Sequence, residues 1–267
     1  MINLDNIEIY CNQHEHFRNN ESASEILSKT PQDTYFCVRL DGIGMSKRFL
    51  KDELTNRVFF GQMWEALEST YDVLHRKTPE DTKNIILGAL ICADEVSIIF
   101  NSNKNYFDGK IFKTVTTVSS TFSSFFTGHG FSKFNSQKKS KKNKLVSGAF
   151  DGRPLIFSSE NEIRKYFLYR YSLYVRNSMA KVLRLNNVAE NLIYGPDYKN
   201  NIPHYWKLIC EKDLNEQIEK TLKYIVAFFV DSNQTLQSYK TESDIEFAET
   251  LSQNLFLNAD SRDKKLA

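Results

Sequence analysis

Two acidic motifs interrupt apolar, strand-like runs, and they carry the side chains best suited to metal-assisted chemistry. One run ends at Asp41-Gly42, and two others are joined only by Ala93-Asp94-Glu95. Phosphoryl transfer by two metal ions requires carboxylates that face the same pair of ions, about 3.5–4 Å apart. Magnesium takes few protein carboxylates and completes its octahedron with waters and substrate phosphates. Asp41, Asp94 and a backbone carbonyl would therefore suffice for such a centre.

The same residues also have a plain structural interpretation. Asp-Gly is among the commonest turn dipeptides, so Asp41 could simply end a strand. Asp94 fits that interpretation less well, because an Asp-Glu pair between two apolar strands is repulsive and a bound cation would relieve the repulsion. On the residues alone, a metal centre and a pair of ordinary turns remain equally open.

The hydrophobic pattern places both motifs on rigid elements of an antiparallel α/β sheet. Strands are predicted at 34–40, 84–92 and 96–100, the last two as a hairpin with its acids at the tip. The remaining predicted elements are a helix at 54–75, an amphipathic helix at 112–126, a loop at 128–148, a strand at 154–157, a helix at 160–185, a strand at 205–210 and helices from 214 onward, one of them over 224–230. No glycine-rich phosphate loop alternates with these elements, which favours an antiparallel sheet flanked by helices over a doubly wound one.

The positive charge of the chain is concentrated in one segment. The net charge is only +2, yet residues 110–149 contain eight lysines and no acidic residue, while the other 27 basic residues are outnumbered by all 33 acidic ones. Such a field favours a phosphate-rich partner, and we expect the segment 133–144 to bind an RNA backbone. The lysines predicted to contact RNA are Lys138, Lys139, Lys141 and Lys142. The alternative is a solvated lysine loop that binds nothing.

Cysteine usage and hydropathy predict a cytoplasmic protein. The four cysteines are Cys11, Cys37, Cys92 and Cys210. They show no Cys-x-x-Cys pairing, which indicates reduced, mostly buried thiols rather than a zinc site or a disulfide framework. No run approaches the roughly 18 apolar residues of a membrane span. The opening segment MINLDNIEIY lacks the basic and apolar regions of a secretory signal.

Four short segments, taken in order, resemble motifs of the tRNA-His guanylyltransferase family. They read RLDGIG at 39–44, ADEVSIIF at 93–100, VSSTFSSFF at 118–126 and FDGR at 150–153. The family's counterparts are RxDGRxF, SDExSFVF, VASxFxxxY and FDGR. A later stretch, NNIPHYWK at 200–207, is similar to the family's INYNxxPxYxKG. Each motif is short, and the ordered set is much more specific than any single one.

The resemblance implies a polymerase-palm-like domain that uses two magnesium ions, with GTP and ATP as substrates. It implies that Asp41 and Asp94 hold the metals, with the Gly42 carbonyl as a third ligand and Glu95 as a supporting acid. The other residues that it implies for nucleotide binding are Ile43, Gly44, Met45, Ser46, Ala93, Lys110 and Lys113. Backbone amides of the turn at 41–46 would face a triphosphate. The two lysines could instead belong to a solvated first helical turn.

Three further residues match the family outside the acidic motifs. Arg153 and Asn177 are implied to contact RNA, and Arg39 is implied to support the acids. Arg39 and Arg153 match arginines of the family, and either could instead be a structural ion-pair partner.

The chain departs from the family in two places. After Asp-Gly the family has Arg and Phe-His, whereas this chain has Ile43, Met45 and Ser46, so the base-stacking histidine is absent. The family segment WRQxDCHxNNLYN is replaced by YRYSLYVRNSMAK, in which only Arg170 and Asn177 match. In the family that segment is tied to recognition of the tRNA end and anticodon. We therefore expect the chemistry to persist with a different substrate.

These observations predict a divergent nucleotidyltransferase that adds nucleotides to the 5′ end of tRNA or a tRNA-like RNA in the 3′-to-5′ direction. The predicted domains are a palm-like unit at 1–210, with a basic loop at 128–149, and a helical extension at 211–267. The resemblance also implies a homo-oligomer, a tetramer in the family. Two other functions stay open, namely a synthase of small or cyclic signalling nucleotides and an RNA-binding relative without activity.

Overall fold

The computed structural model describes residues 3–45, 58–76, 85–101, 106–136, 148–222, 225–231, 233–240 and 247. Its strands are β1 (Tyr35–Gly42), β2 (Ile86–Cys92), β3 (Glu95–Asn101), β4 (Phe150–Phe157), β5 (Ile225–Val230) and β6 (Leu236–Lys240). Its helices are α1 (Leu4–Cys11), α2 (His14–Glu25), α3 (Val58–Arg76), α4 (Ile111–Ser136), α5 (Glu160–Leu185), α6 (Glu190–Tyr194), α7 (Ile202–Glu211) and α8 (Asn215–Leu222). A short turn, Tyr106–Gly109, precedes α4, with Phe107 and Asp108 at φ angles of 51° and 57° in the left-handed region.

Within the described ranges, the strands form one antiparallel sheet in the order β4-β1-β3-β2-β5-β6. Every residue of β2 and β5 is buried, and so is nearly all of β3. Continuous apolar runs of this kind require cover on both faces, because alternate side chains point to opposite sides. The predicted antiparallel sheet flanked by helices is therefore confirmed.

Helices α4 and α5 pack on opposite faces of the sheet. An added Cβ at Gly152 of β4 would lie 2.0 Å from Ser119 Oγ of α4, so that helix approaches the backbone closely. On the other face, Ser97 Oγ of β3 lies 3.1 Å from the Tyr166 hydroxyl of α5. Gly152 pairs with Leu40, whereas Ser97 pairs with the preceding residue of β1, Arg39. Successive side chains of a strand point to opposite faces of the sheet. Arg39 and Asp41 of β1 therefore both point toward α5.

The predicted helix at 160–185 agrees with α5 in both bounds. Its start is fixed by a capping box, in which Ser159 Oγ accepts a hydrogen bond from Glu162 N at 3.3 Å. The Glu162 carboxylate in turn accepts one from Ser158 N at 2.9 Å. Caps of this kind satisfy amides that a helix leaves without partners. The strands predicted around the acidic motifs and at 154–157 are also confirmed.

Two late elements were assigned the wrong type from the sequence. The predicted strand at 205–210 is part of helix α7, which starts at Asn201, whose side chain accepts a hydrogen bond from His204 N at 2.9 Å, with a proline in the first turn. The predicted helix at 224–230 is strand β5, which pairs with β2. A short run such as IVAFFV has no periodicity that separates a strand from a buried helix. Of the predicted helical extension at 211–267, α8 is helical, while β5 and β6 continue the sheet.

The first part of the predicted basic loop is helical instead. Helix α4 continues through Gly128 and Gly130 to Ser136, so residues 128–136 are helical. A contact with α3 supports this part of the helix, since Ser69 Oγ lies 3.0 Å from His129 Nε2. The lysines predicted to contact RNA, Lys138, Lys139, Lys141 and Lys142, lie outside the described residues.

Two predictions of residue environment can be compared with the fold. Cys11, Cys37 and Cys92 are buried free thiols and Cys210 is an exposed one, as expected for mostly buried, unpaired cysteines. Burial raises the pKa of the Cys11 thiol to about 11. Among the described helices, none is long and apolar enough to cross a membrane.

Candidate active site

Three carboxylates lie side by side at one end of the sheet. Asp41 of β1 is directly opposite Glu95 of β3 on one side and Asp151 of β4 on the other. Opposite residues of antiparallel strands have Cβ atoms about 4.5–5.5 Å apart on the same face. Asp94 occupies the turn between β2 and β3, and its carbonyl accepts a hydrogen bond from the Gly42 N–H at 2.9 Å. The two acidic motifs of the sequence are therefore brought together.

The turns that carry these acids are held in demanding backbone conformations. Ala93, the first residue of the hairpin turn, has a φ of 59°, in the left-handed region that L residues rarely adopt. An added Cβ at Gly42 would lie 2.8 Å from Met45 Sδ and 3.1 Å from the Asp94 carbonyl. The close approach of β1 to the hairpin tip thus requires a glycine at this position. Strained backbone of this kind persists only where the surrounding structure holds it.

The turn after Asp41 is not an open row of amides for a triphosphate. The Gly42 N–H is bonded to Asp94, the Ile43 N–H donates to the Ala149 carbonyl at 3.0 Å, and the Met45 N–H donates to the Gly42 carbonyl at 3.3 Å. The side chain of Met45 is buried in the core and so anchors the turn. Among Gly42, Ile43 and Met45, each N–H is therefore already used within the protein. Neither Ile43, Gly44 nor Met45 lines the cavity described below, and Ser46 lies outside the described residues.

Arg39 is the centre of an ion-pair network beneath the acids. Its Nη2 donates to Asp41 Oδ2 at 2.9 Å, and its Nε lies 3.0 Å from Glu95 Oε2. Its Nη1 contacts the Glu21 carboxylate of α2, and Arg170 of α5 contacts Glu95 from the other side. Glu95 is thus held by two arginines, which agrees with a supporting role.

The acidic end of the sheet carries more negative than positive charge. Among the described residues of this end, five carboxyl groups, those of Glu21, Asp41, Asp94, Glu95 and Asp151, lie with three guanidinium groups, those of Arg39, Arg153 and Arg170, which gives a formal charge of −2. Burial raises the pKa of Asp41, and the charge of Glu95 raises it further, while Arg39 acts in the opposite direction. The site thus contains negative charge that a bound divalent cation would neutralise.

A cavity of ≈ 350 Å³ opens from the acids toward α5 and α7. Of the predicted site residues, those that line it are Arg39, Asp41, Ala93, Asp94, Glu95 and Asn177. The lining residues that the sequence did not single out include Cys92, Leu173, Tyr174, Arg176, Ala180, Lys181, Tyr194, Asn200 and Tyr205. The cavity therefore joins the acidic motifs to the segment in which the chain departs most from the family.

The lysines predicted for the triphosphate lie elsewhere. Helix α4 runs antiparallel to β4, with its Ser123 Oγ accepting from Phe150 N at 3.3 Å near the acidic end. Its start is therefore at the opposite end of the sheet, where the Thr30 N–H donates to the Gly109 carbonyl at 2.9 Å. Lys110 lies 3.9 Å from Asp108, and Lys113 Nζ lies 4.5 Å from the centre of the Phe107 ring. The structure does not bring Lys110 or Lys113 to Asp41.

Arg153 forms ion pairs beside the acidic row, and its predicted contact with RNA stays a prediction. Its Nε donates to Asp151 Oδ2 at 2.9 Å, and its Nη1 lies 3.6 Å from Glu21. The guanidinium is about half exposed beside the acidic row and does not line the cavity. Asp151 is thereby paired with its neighbour, and unlike Asp41 and Asp94 it does not line the cavity.

The acidic end fits a magnesium ion in its chemistry. In the ranges that the structure covers, no three His, Cys, Asp or Glu side chains gather as a ready metal site. However, Asp41 and Asp94 line one cavity, and their carboxylates offer the oxygen ligands that magnesium prefers. Waters and phosphate oxygens supply the remaining ligands at typical magnesium sites, so two protein carboxylates are enough.

The raised pKa of Asp41 makes the stability of the protein depend on pH. A carboxyl whose pKa is higher in the folded than in the unfolded state stabilises the fold below pH 3.8, its ordinary value, and loses that contribution as the pH rises through the folded pKa. Without divalent cations, we expect Asp41→Asn to have a higher Tm than the wild type at pH 7. The difference should vanish near pH 3.5. A variant that is less stable than the wild type at pH 7 would contradict the raised pKa.

The fold and the site together define a class of protein. An antiparallel α/β sheet with paired acidic turns at one end, in a cavity with arginines, is the arrangement of a nucleotidyltransferase. Residues 14–158, more than half of the chain, match the sequence model of the family described as tRNAHis guanylyltransferase. The chain belongs to the tRNA-His guanylyltransferase family, and it is an enzyme of the nucleotidyltransferase class.

Solved structures share the fold at low sequence identity. A bacterial tRNA(His) guanylyltransferase-like protein in complex with ATP is 19% identical, with a TM-score of 0.55 over 85% of this chain and 91% of that one. A bacterial protein of the same description in complex with GTP is 18% identical, with a TM-score of 0.52 over 91% and 99%. The tRNA(His) guanylyltransferase of Saccharomyces cerevisiae is 16% identical, with a TM-score of 0.56 over 82% and 95%. No curated protein matches the chain in sequence.

Proposed function

We propose that this enzyme adds a nucleotide to the 5′ end of an RNA in the 3′-to-5′ direction, with magnesium held by Asp41 and Asp94. The observation that carries the proposal is that Asp41 and Asp94 both line one cavity at the acidic end of the sheet. Family membership supports the same chemistry. Relatives of the same fold bind ATP and GTP, which supports both nucleotides as substrates of this chain.

In this proposal the acidic residues of the site have two roles, metal binding and support of the arginines. Asp41 and Asp94 would hold two magnesium ions together with the Gly42 carbonyl. Bound magnesium supplies a lowered pKa for the attacking 3′-hydroxyl and neutralises charge on the phosphates. Arg39 fixes one oxygen of Asp41 by its hydrogen bond at 2.9 Å and leaves the other oxygen for a ligand. Glu95 holds the two arginines in place and takes no part as a metal ligand.

Chemistry of this kind needs no covalent side-chain nucleophile. Positioning and neutralisation of charge provide most of the rate enhancement in phosphoryl transfer. The buried thiol of Cys92 is unsuited to be a nucleophile, because burial raises its pKa.

Asn177 lines the cavity, and in this proposal it contacts the RNA end.

The partners and the assembly are further parts of the proposal. We propose tRNA or a tRNA-like RNA as the acceptor, a homotetramer as the assembly and the cytoplasm as the location. The division into units at 1–210 and 211–267 also stays a prediction, and β5 of the second range pairs with β2 of the first.

The direct test is an assay with magnesium, each labelled nucleoside triphosphate in turn, and tRNA bearing a 5′-mono- or triphosphate. We expect the label to join the RNA. A label that appears only in small nucleotides would replace this function with a synthase of signalling nucleotides. A label that stays in the triphosphate under every condition would leave only an RNA-binding role.

The lysine segment provides a separate prediction about RNA affinity. Replacing Lys138, Lys139, Lys141 and Lys142 with serine removes four candidate phosphate contacts. Each contact to single-stranded RNA contributes about −0.7 to the slope of log affinity against log salt, so we expect the slope to flatten by roughly two to three units. Filter binding at several salt concentrations measures the slope. An unchanged slope would identify the segment as a solvated loop.

A further inference from the structure

We infer that Arg176 and Lys181 bind the β- and γ-phosphates of a 5′-triphosphate on the acceptor, which makes them the binding site for the leaving pyrophosphate. This inference rests on the proposed function, since it assigns the substrate form used at the same site. In the family motif quoted above the position of Arg176 is unspecified and that of Lys181 is an asparagine, so the resemblance does not supply this role.

The two cations belong to one stripe of helix α5. Leu173, Arg176, Asn177, Ala180 and Lys181 are spaced as successive turns of one helical face, and all of them line the cavity. Arg176 and Lys181 are partly exposed and Asn177 is exposed, so a ligand can reach them. Small Ala180 lies between the polar groups and leaves room beside them.

The stripe lies beyond the end of the sheet, in line with the acids. Tyr166 contacts Ser97 and Arg170 contacts Glu95, so α5 runs along β3 toward the hairpin tip and then past it. At about 1.5 Å per residue, Arg176 is roughly 9 Å and Lys181 roughly 16 Å beyond Arg170 along the helix axis. The cavity thus has an acidic end at the sheet and a basic end on the last turns of α5.

The far wall of the basic end is formed by α7 and the loop before it. The Tyr205 hydroxyl donates to the Ile193 carbonyl at 2.6 Å and accepts from the Asn200 N–H at 2.9 Å, which fixes the wall. Burial raises the pKa of Tyr205, and the nearby charge of Arg176 opposes that rise, which agrees with Arg176 facing the cavity. The basic end is therefore a built wall rather than a pair of surface charges.

The basic end of the cavity suits the negative charge that develops on the leaving group when a nucleotide is transferred to a 5′-triphosphate end. The 3′-hydroxyl oxygen of the incoming nucleotide forms a bond to the α-phosphorus of the acceptor. The bond from that phosphorus to the α,β-bridging oxygen breaks, its electrons leave with pyrophosphate, and the hydroxyl proton passes to solvent. The product carries the triphosphate of the incoming nucleotide. Cations placed where the leaving group gains charge stabilise the transition state.

The position of the two cations in the cavity supports the same assignment. Arg176 and Lys181 both line the cavity on the part of α5 that lies beyond the end of the sheet, whereas the lysines at the start of α4 lie at the opposite end of the sheet. Arg176 also donates to Asn177 Oδ1, at 3.2 Å from its Nη2, which holds the guanidinium beside the exposed amide. A 5′-monophosphate at the acids would leave the basic end without a ligand.

The inference is tested by binding, with no turnover required. One oligoribonucleotide with a 3′ fluorophore is prepared with a 5′-triphosphate, a 5′-monophosphate or a 5′-hydroxyl, and anisotropy gives each Kd in EDTA. We expect the wild type to prefer the triphosphate over the monophosphate by at least about tenfold, since hydrogen bonds to charged groups are worth about 1.5–3 kcal/mol. Arg176→Gln and Lys181→Gln should each lose most of that preference. The ratio of the two affinities cancels general effects on RNA binding.

Matched controls separate this role from a structural one. Arg184→Gln and Lys165→Gln change exposed residues of the same helix outside the cavity, and both should keep the preference. Asp94→Asn should keep the preference while losing transfer, so failure of the proposed function and failure of this inference are distinguishable.

Competition by free GTP shows whether the stripe binds the triphosphate of the RNA end or the triphosphate of a free nucleotide. If GTP competes with the labelled RNA and loses this ability in Arg176→Gln, the stripe holds a free nucleotide. Equal affinities of the wild type for the three RNA ends, or an unchanged preference in the Arg176→Gln/Lys181→Gln double variant, would overturn the inference.

Discussion

Asp41→Asn and Asp94→Asn should each lower the rate of nucleotide transfer by about a thousandfold or more, because each removes a metal ligand that contributes several kcal/mol to the transition state. Both variants should remain folded, since asparagine has nearly the same shape as aspartate and removes repulsion from Glu95 at position 41. Single-turnover rates at saturating magnesium measure the effect, with circular dichroism as the check on folding.

Asp151→Asn is the matched control for this pair of variants. Asp151 is directly opposite Asp41 on the neighbouring strand and shares its face, yet it pairs with Arg153 and does not line the cavity. Its substitution should leave the transfer rate close to that of the wild type. Near-normal turnover in Asp41→Asn or Asp94→Asn, or an equal loss in Asp151→Asn, would show that the metal centre is assigned to the wrong acids.

The largest effect on stability should come from Arg170→Leu. This change removes a cation from Glu95, whose side chain is only 9% exposed. Removing a partner from a buried ion pair costs about 3–5 kcal/mol when the remaining charge is left unpaired. Because Arg39 still lies 3.0 Å from Glu95, we expect the free energy of unfolding to fall by the lower limit of that range, about 3 kcal/mol. Urea denaturation measures the loss.

Lys220→Met is the control for the ion-pair argument. Lys220 lies 2.7 Å from Glu216, and both side chains are at least half exposed. Exposed pairs of this kind contribute little, so the midpoint of urea denaturation should stay close to that of the wild type. A similar loss in both variants would mean that burial of the Arg170 pair has no special weight.

The acidic site could be predicted from the sequence because its parts are local. Asp41 and Asp94 follow apolar runs long enough to be recognised as strands, and a short hairpin turn fixes the second acid at a tip. The antiparallel pairing of β1 with β3 then brings the two motifs together. The bounds of α5 were equally accessible, since Ser159 and Glu162 form a capping box before a periodic segment.

What the sequence could not provide depends on long-range geometry. Strand β3 runs away from the hairpin tip, so Lys110, which follows it in the chain, lies at the opposite end of the sheet from the acids. A resemblance of short motifs contains no information of this kind. Glu21 lies in a polar helix with no signal of its own, and it became visible only through its contact with Arg39. The basic end of the cavity was hidden for a similar reason. Arg176 and Lys181 are ordinary surface types until α5 is seen to continue past the sheet.

The type of the late elements was ambiguous for a physical reason. IVAFFV of β5 is uniformly apolar, so its partner in the sheet decides its conformation, and no local preference does. In α7, the proline at position 203 and the cap at Asn201 indicate a helix start, and these signals outweigh the short apolar run that followed.

An RNA with a blocked 3′ end shows whether the nucleotide joins the 5′ end of the acceptor. A 5′-triphosphorylated RNA that ends in a 2′,3′-dideoxynucleotide is incubated with magnesium and labelled nucleoside triphosphate, and the product is resolved by length. We predict that the wild type lengthens this RNA and its unblocked counterpart equally well, and that Asp94→Asn lengthens neither. Lengthening that requires a free 3′-hydroxyl on the RNA would contradict it.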